Sequence, residues 1–202
     1  MKAVIIDYGM GNVASVQKAL DFLKIDSIIS NNAQDIKNAH YIILPGVGSF
    51  KQGMSNLIKS NLVEVLNHEV IINKKPFFGI CLGMQLIAEM GTEPDPVKGL
   101  GWIKGKVIKI TENQRRIPHL GWNTIHANTV FIPEVCNHKD YYFIHSYHFD
   151  VEDKNQIAAF VNYGENYVAA VHYENIFATQ FHPEKSQDAG LKLLKHFFDF
   201  YA

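Results

Sequence analysis

Cys81 stands between Gly79 and Gly83 in the segment Pro76-Phe77-Phe78-Gly79-Ile80-Cys81-Leu82-Gly83-Met84-Gln85, directly after an apolar β-type run and directly before a helix-like stretch. A tight strand-to-helix turn with small neighbours is the geometry that holds a nucleophile clear of a sheet end. At such a turn free N–H groups and the helix macrodipole favour a thiolate and can hold a developing oxyanion. A lone cysteine beside a strand is otherwise more often a packed apolar side chain. The Gly-x-Cys-x-Gly frame is what singles this one out, and by itself it leaves the reaction open.

A cysteine that attacks a carbonyl needs a base to carry its proton and a third group to orient that base. Thr179-Gln180-Phe181-His182-Pro183-Glu184-Lys185-Ser186 offers a histidine just after an apolar strand, a carboxylate two residues on, and a proline stiffening the turn between them. His182 and Glu184 fit base and orienter, although the same pair would also serve as a structural histidine and a solvated loop acid. His119, His138, His145 and His148 compete as bases, but none has a carboxylate so tightly placed beside a strand end.

These residues need a scaffold that brings strand ends together. Lys2–Tyr8 reads as a buried strand, and Asn12 can cap a helix on which Val13, Val16, Leu20 and Leu23 follow helical spacing. Further strands are expected over Ser27–Ser30 and His40–Leu44, the latter ending in Pro45-Gly46-Val47-Gly48, and Met54–Ile72 carries helical periodicity before the elbow. Strands alternating with helices predict a mostly parallel sheet covered on both faces, an α/β fold whose ligands gather at the strand C-terminal ends. The turns at Asp7-Tyr8-Gly9, Pro45-Gly46-Val47-Gly48 and Cys81 are therefore expected along one edge. The second half is richer in β structure: Trp102–Ile110, Tyr141–Phe149, Ile157–Val161, Val168–His172 and Ile176–Phe181 are short strand-like runs, with a hairpin at Tyr173-Glu174-Asn175. An amphipathic helix over Ala189–Phe200, with Leu191, Leu194, Phe197 and Phe198 inward, follows. The stretch Gly91–Gly101 reads as a loop, not an interdomain linker.

Length and composition agree with one domain over 1–202: 202 residues and 47% hydrophobic content suffice for a sizeable core. A formal net charge of −1 without any long basic run gives no electrostatic footprint for nucleic acid or anionic membrane. No apolar stretch approaches the roughly 20 residues that cross a bilayer. Cys81 and Cys136, the only cysteines, form no C-x-x-C pair, and the N-terminal strand is too short for a signal peptide, so a cytoplasmic protein is expected. Ten histidines show no zinc-site spacing; on a single strand His145 and His148 would face opposite sides, and no metal site is expected.

The elbow segment Gly79–Gln85 together with Gln180–Ser186 resembles the class I, triad-type glutamine amidotransferases. Within that superfamily, Pro45-Gly46-Val47-Gly48-Ser49-Phe50, Pro118-His119-Leu120-Gly121-Trp122-Asn123 and Tyr142-Phe143-Ile144-His145-Ser146-Tyr147 are similar to the glutaminase subunits of imidazole glycerol phosphate synthase. The likeness runs from Asp7-Tyr8-Gly9-Met10-Gly11-Asn12 almost to the C-terminus, with Leu120 standing where that family often has methionine. It implies a three-layer, flavodoxin-like fold and hydrolysis of L-glutamine to glutamate and ammonia, without a cofactor. The roles it implies are Cys81 as nucleophile, His182 as acid and base, and Glu184 as orienter. It likewise implies Leu82 and Gly48 as the oxyanion hole and Gly46, Gln85, Ser146 and Tyr147 as the residues that hold glutamine. As to partners, the resemblance implies a separate (β/α)8-barrel synthase that receives the ammonia and makes imidazole glycerol phosphate and an aminoimidazole carboxamide ribotide, in histidine biosynthesis.

Asn12, Trp122 and Lys185 match family positions near the docking face, although as plain structure they read as a helix cap, a core aromatic and a surface charge. Gln85 likewise reads either as a substrate contact or as a first-turn polar residue facing solvent. A paralogous amidotransferase subunit that supplies ammonia for sugar amination in surface polysaccharide synthesis is the alternative within the same chemistry. The intact Cys81, His182 and Glu184 argue against a non-catalytic subunit, and Gln85 with the Ser146 segment argues against a peptidase or acyltransferase.

Overall fold

The computed structural model describes residues 2–111 and 115–202, and the inner strands of its first half are largely apolar, unlike the half-buried edge strand Ser27–Ser30. Ala3–Ile6 (β1) is buried on both faces, as a central parallel strand must be. Asn12 caps α1 (Val13–Phe22) by accepting the Ser15 N–H at 3.2 Å. There follow β2 (Ser27–Ser30), α2 (Ala33–Asn38), β3 (Tyr41–Gly46), α3 (Phe50–Lys59) and α4 (Leu62–Leu66), then β4 (Phe77–Cys81) and the short α5 (Leu82–Leu86). Helical periodicity over 54–72 does not become one helix. Asn61, with φ of 53°, breaks the run between α3 and α4, and α4 widens into a π-helical stretch over Asn67–Ile72. Asparagine tolerates that left-handed conformation better than most side chains.

The second half supplies β5 (Ala88–Gly91), β6 (Val97–Lys98), β7 (Ile103–Lys109), β8 (His119–Ala127), β9 (Asp140–His145), β10 (Tyr147–Val151), β11 (Ile157–Tyr163), β12 (Glu165–Tyr173), β13 (Ile176–Thr179) and α6 (Gln187–Phe200). The expected strand over 141–149 is thus two strands, parted at Ser146. β9 pairs with β8 in the large sheet, whereas β10 pairs with β7 in a small one. His145 and His148 accordingly belong to different sheets, and the alternation expected of a single strand does not govern them.

The large sheet runs β2-β1-β3-β4-β13-β12-β11-β8-β9. Its first five members are parallel and the rest antiparallel, joined at the β12–β13 hairpin. The parallel part has the 2-1-3-4-5 order of flavodoxin-like sheets, with ligands expected beyond the strand C-termini. One face packs Val16 and Leu20 of α1 and Leu194 and Phe197 of α6. The other packs Met54 and Leu57 of α3, Leu66 of α4 and Phe149 of the small sheet β10-β7-β5-β6. These are the three layers. Inward residues of α6 include Leu193 as well as Leu194, Phe197 and Phe198, while Leu191 is half-buried.

Candidate active site

Cys81 ends β4 with φ of 55° and ψ of −107°, backbone that L-residues rarely adopt. The glycines around it are required by contact as well as by the turn. A Cβ on Gly83 would lie 1.8 Å from the Leu44 carbonyl oxygen, and one on Gly79 would lie 2.9 Å from the Gly83 carbonyl. The elbow is therefore wedged between β3 and the first turn of α5, which is only five residues long. Parallel register sets Gly46 opposite Cys81 on one side, and Thr179 opposite Ile80 on the other. Gln180, just past Thr179, then comes beside the thiol and donates Nε2 to Sγ at 3.7 Å. Nothing in its own sequence context marked Gln180 as a site residue; only the β4–β13 register does.

His182 arrives from the end of β13 and is pinned by its backbone. Its N–H donates to the Tyr142 carbonyl at 2.9 Å, and Ser186 Oγ donates to the His182 carbonyl at 2.6 Å while accepting the Tyr142 N–H at 3.0 Å. Proline and glutamate then turn the chain through one 3-10 turn, Pro183–Lys185, so that Glu184 Oε1 meets His182 Nδ1 at 2.8 Å with both side chains 2% exposed. Burial alone would lower the imidazole pKa, but the Cys81 sulfur and the Glu184 carboxylate outweigh it and raise the value to about 10. Nε2, the nitrogen not bonded to Glu184, is buried and has no hydrogen-bond partner among the described residues; its neighbour is the Cys81 sulfur. The arrangement is that of a thiol beside a base that favours its protonated form, with a carboxylate behind it.

A cavity of about 420 Å³ opens on Cys81. Its walls include Gly48, Leu82, Gln85, Ser146, Tyr147 and Lys185. Gln85 is 5% exposed and not solvent-facing: its Nε2 donates to the Tyr147 carbonyl at 3.0 Å and to Gln180 Oε1 at 3.0 Å. Gly48 has φ of 104°, and Leu82 N–H opens α5, where first-turn N–H groups lack intrahelical acceptors. Gly46 is placed differently from Gly48. It does not line the cavity but packs beneath it, where a Cβ would fall 2.3 Å from the Tyr8 hydroxyl and 2.8 Å from Leu82 Cβ.

Of the competing histidines, His138 is exposed and His148 lies on β10 against Tyr167. His119 and His145 are buried, and burial pushes them down to about 4 and about 3. Trp122 is 48% exposed, not a core residue. It meets Tyr142 edge-on at 6.0 Å, and Lys185 Nζ lies over the same ring at 5.9 Å, so the two share one patch beside the cavity mouth. Asn12 is exposed at the start of α1, which packs against the 183–185 turn. Cys136 is buried under α6, with its thiol raised by burial, and belongs to the core.

The fold and this triad define a glutaminase of the amidotransferase type, and comparison with known proteins agrees. The family model described as glutamine amidotransferase class-I matches residues 4–200, and the chain belongs to that family. Among its curated relatives, imidazole glycerol phosphate synthase subunit HisH 1 of Campylobacter jejuni strain RM1221 is 43% identical over 96% of this chain and 97% of its own. Subunit HisH 2 of Vibrio vulnificus strain YJ016 is 44% identical, over 98% and 94%, and subunit HisH of Pelagibacter ubique strain HTCC1062 is 41% identical, over 98% and 100%. In fold it is similar to a crystal structure titled glutamine amidotransferase, with a TM-score of 0.78 at 17% identity over 98% of each chain. PurLQS from Thermotoga maritima gives 0.75 at 16%, over 100% of this chain and 99% of that one.

Proposed function

We propose that this chain is the glutaminase subunit of imidazole glycerol phosphate synthase, all 202 residues forming one amidotransferase domain, and that it hydrolyses glutamine at Cys81. The single observation that carries the chemistry is the Glu184–His182 pair, closed at 2.8 Å and buried beside the strained Cys81. Full-length identity of 41–44% to HisH subunits carries the assignment of pathway.

In the first half-reaction the Cys81 sulfur attacks the side-chain amide carbon of glutamine, and the carbonyl becomes a tetrahedral oxyanion. Leu82 N–H and an N–H of the Gly48 segment are the donors, each worth roughly 3 kcal/mol to such an intermediate. His182, as imidazolium, protonates the amide nitrogen; the C–N bond breaks and ammonia leaves. In the second, His182 takes a proton from water as the oxygen adds to the γ-glutamyl thioester, giving a second tetrahedral oxyanion in the same hole; its collapse breaks the C–S bond and releases glutamate, leaving the Cys81 thiolate beside imidazolium His182. Gln85 and the Ser146–Tyr147 main chain hold the amino-acid end of the substrate. The fixed amide of Gln85 supports this reading, since both its hydrogens are used within the protein and its carbonyl oxygen is left to accept from an ammonium.

Ammonia that reaches neutral water becomes ammonium and loses its nucleophilicity, so the product must pass directly to an acceptor. A (β/α)8-barrel cyclase subunit docked over the cavity mouth receives it. Exposed Leu120, Trp122 and Ile144 beside Lys185 supply an apolar surface with a positive charge at its edge, which supports docking there, and Asn12 completes it. Among the described residues no helix is long and apolar enough to cross a membrane. Reconstitution with the barrel subunit tests the assignment. Cys81→Ala is expected to abolish glutamine-dependent imidazole glycerol phosphate formation while synthesis from added ammonium salts persists. Glutamine-dependent turnover by that variant refutes the mechanism, and glutamate release coupled only to a sugar acceptor refutes the pathway.

A further inference from the structure

His145, in the cavity wall, and His119, behind it, are two buried imidazoles that the hydrolysis does not use. His119, on β8, and His145, at the end of β9, face each other across the antiparallel pair, Nδ1 of the first 3.0 Å from Nε2 of the second. Which nitrogens carry protons is decided at both ends by backbone groups of known polarity. At the outer end, Asn123 Oδ1 accepts the Thr124 N–H at 3.0 Å and Nδ2 donates to the Asn162 carbonyl at 3.0 Å, so the nitrogen of that amide also faces His119 Nε2, at 3.4 Å. His119 Nε2 is then an acceptor, and its proton sits on Nδ1, pointing at His145. At the inner end His145 Nδ1 lies 2.8 Å from the Tyr147 carbonyl, which can only accept, so His145 carries its proton on Nδ1 and offers Nε2 as acceptor. The two ends demand the same direction, Asn123 to His119 to His145 to Tyr147.

The chain terminates where the substrate wall begins. The Tyr147 carbonyl accepts both His145 Nδ1–H and Gln85 Nε2–H, and Gln85 in turn donates to Gln180, whose Nε2 reaches Cys81. Without His145 that carbonyl, just past the break between β9 and β10, has one donor fewer to hold it. Phe143 and Tyr163 stack on the His119 ring at 4.6 and 4.0 Å, so the outer member cannot turn freely. Burial keeps both rings neutral, so that neither competes with His182 for the thiol proton.

We propose that His119 and His145 are positioning residues for glutamine binding: locked as Nδ1–H tautomers, they fix the Tyr147 carbonyl and through it turn the Gln85 amide so that its oxygen faces the substrate. This rests on the reading of the Gln85–Ser146–Tyr147 wall as the glutamine site. Imidazole 15N spectra of the wild-type protein provide the first test. Both histidines are expected Nδ1-protonated, and an Nε2-protonated ring at either position overturns the proposal without any variant having to fold.

The second test measures glutamine hydrolysis in the assembled synthase. His145→Leu is expected to raise KM for glutamine about tenfold or more, the worth of about one well-made hydrogen bond in binding, with kcat much less affected. Alkylation of Cys81 by iodoacetamide, which needs no glutamine, is expected to keep its rate. His145→Asn places an amide N–H where Nδ1–H was and is expected to restore KM to within about threefold of wild type. An unchanged KM in His145→Leu, or an Asn variant as impaired as the Leu variant, overturns the inference. Gln85→Leu separates the two levels: a raised KM there with none in His145→Leu overturns the relay alone, whereas no change in either overturns the glutamine reading of the wall.

Discussion

Removing the charge of Glu184 while keeping its shape isolates what the carboxylate does for His182. In Glu184→Gln an amide oxygen can still accept the Nδ1 proton at the 2.8 Å separation, so orientation is retained and only the electrostatic stabilisation of the imidazolium is lost. Both side chains are 2% exposed, and the interaction is little screened by solvent. Leaving one member of a buried ion pair uncompensated costs about 3–5 kcal/mol. At about 1.4 kcal/mol per decade, glutamine hydrolysis in the assembled synthase is expected to fall by about two to three and a half decades. The pH profile carries the sign. Departure of ammonia needs protonated His182, and the pKa of that ring stands raised, to about 10, against the pull of burial, with Cys81 and Glu184 as causes. Without the carboxylate the pKa drops, so the alkaline limb of activity moves to lower pH. Stability follows the same linkage: the wild-type contribution is fully present below the unfolded value of 6.5 and is lost as pH rises through about 10. The stability gap between wild type and variant should therefore narrow across that window in urea titrations. Activity within a few-fold of wild type and an unmoved alkaline limb would refute the assignment of Glu184 as the group that supports the imidazolium.

Two further perturbations address the scaffold. Gly83→Ala puts a Cβ 1.8 Å from the Leu44 carbonyl, a backbone atom that no rotamer change can move, so a loss of about 3 kcal/mol or more is expected in denaturant titration, together with loss of glutaminase activity as β3 and α5 separate. Tyr8→Phe tests the buried hydroxyl next to Gly46, which makes no hydrogen bond among the described residues. Removing it is expected to leave stability unchanged or to raise it by about 1 kcal/mol, and a clear loss would show that the hydroxyl has a partner in the folded state.

The parallel half was legible because its inner strands are apolar on both faces and its glycines mark the turns; β1 to β4 and the N-cap at Asn12 lie where periodicity and capping chemistry put them. Where sequence reading fell short, the missing term was long-range. Tyr141–Phe149 is one apolar run, but at Ser146 the chain leaves one sheet for another, a choice made by the strands that receive it. The helical run to Ile72 breaks at Asn61 for a left-handed residue that no period reveals. Gly46 shares a motif with Gly48, yet it does not line the cavity, because it is held within the sheet as the in-register neighbour of Cys81.

The proposed nucleophile, base and orienter follow from local chemistry, since a glycine-framed cysteine and a His-Pro-Glu turn each declare themselves within a few residues, and the motifs around them declare the family. Tertiary structure alone decided the wall facing them. Gln180 sits on the thiol because β13 pairs in register with β4, and His119, His145 and Tyr147 share one hydrogen-bond chain because β8 pairs with β9. Pairing partners far apart in sequence are selected by the packing of the whole sheet, and hydrogen-bond polarity is set only once those partners have met.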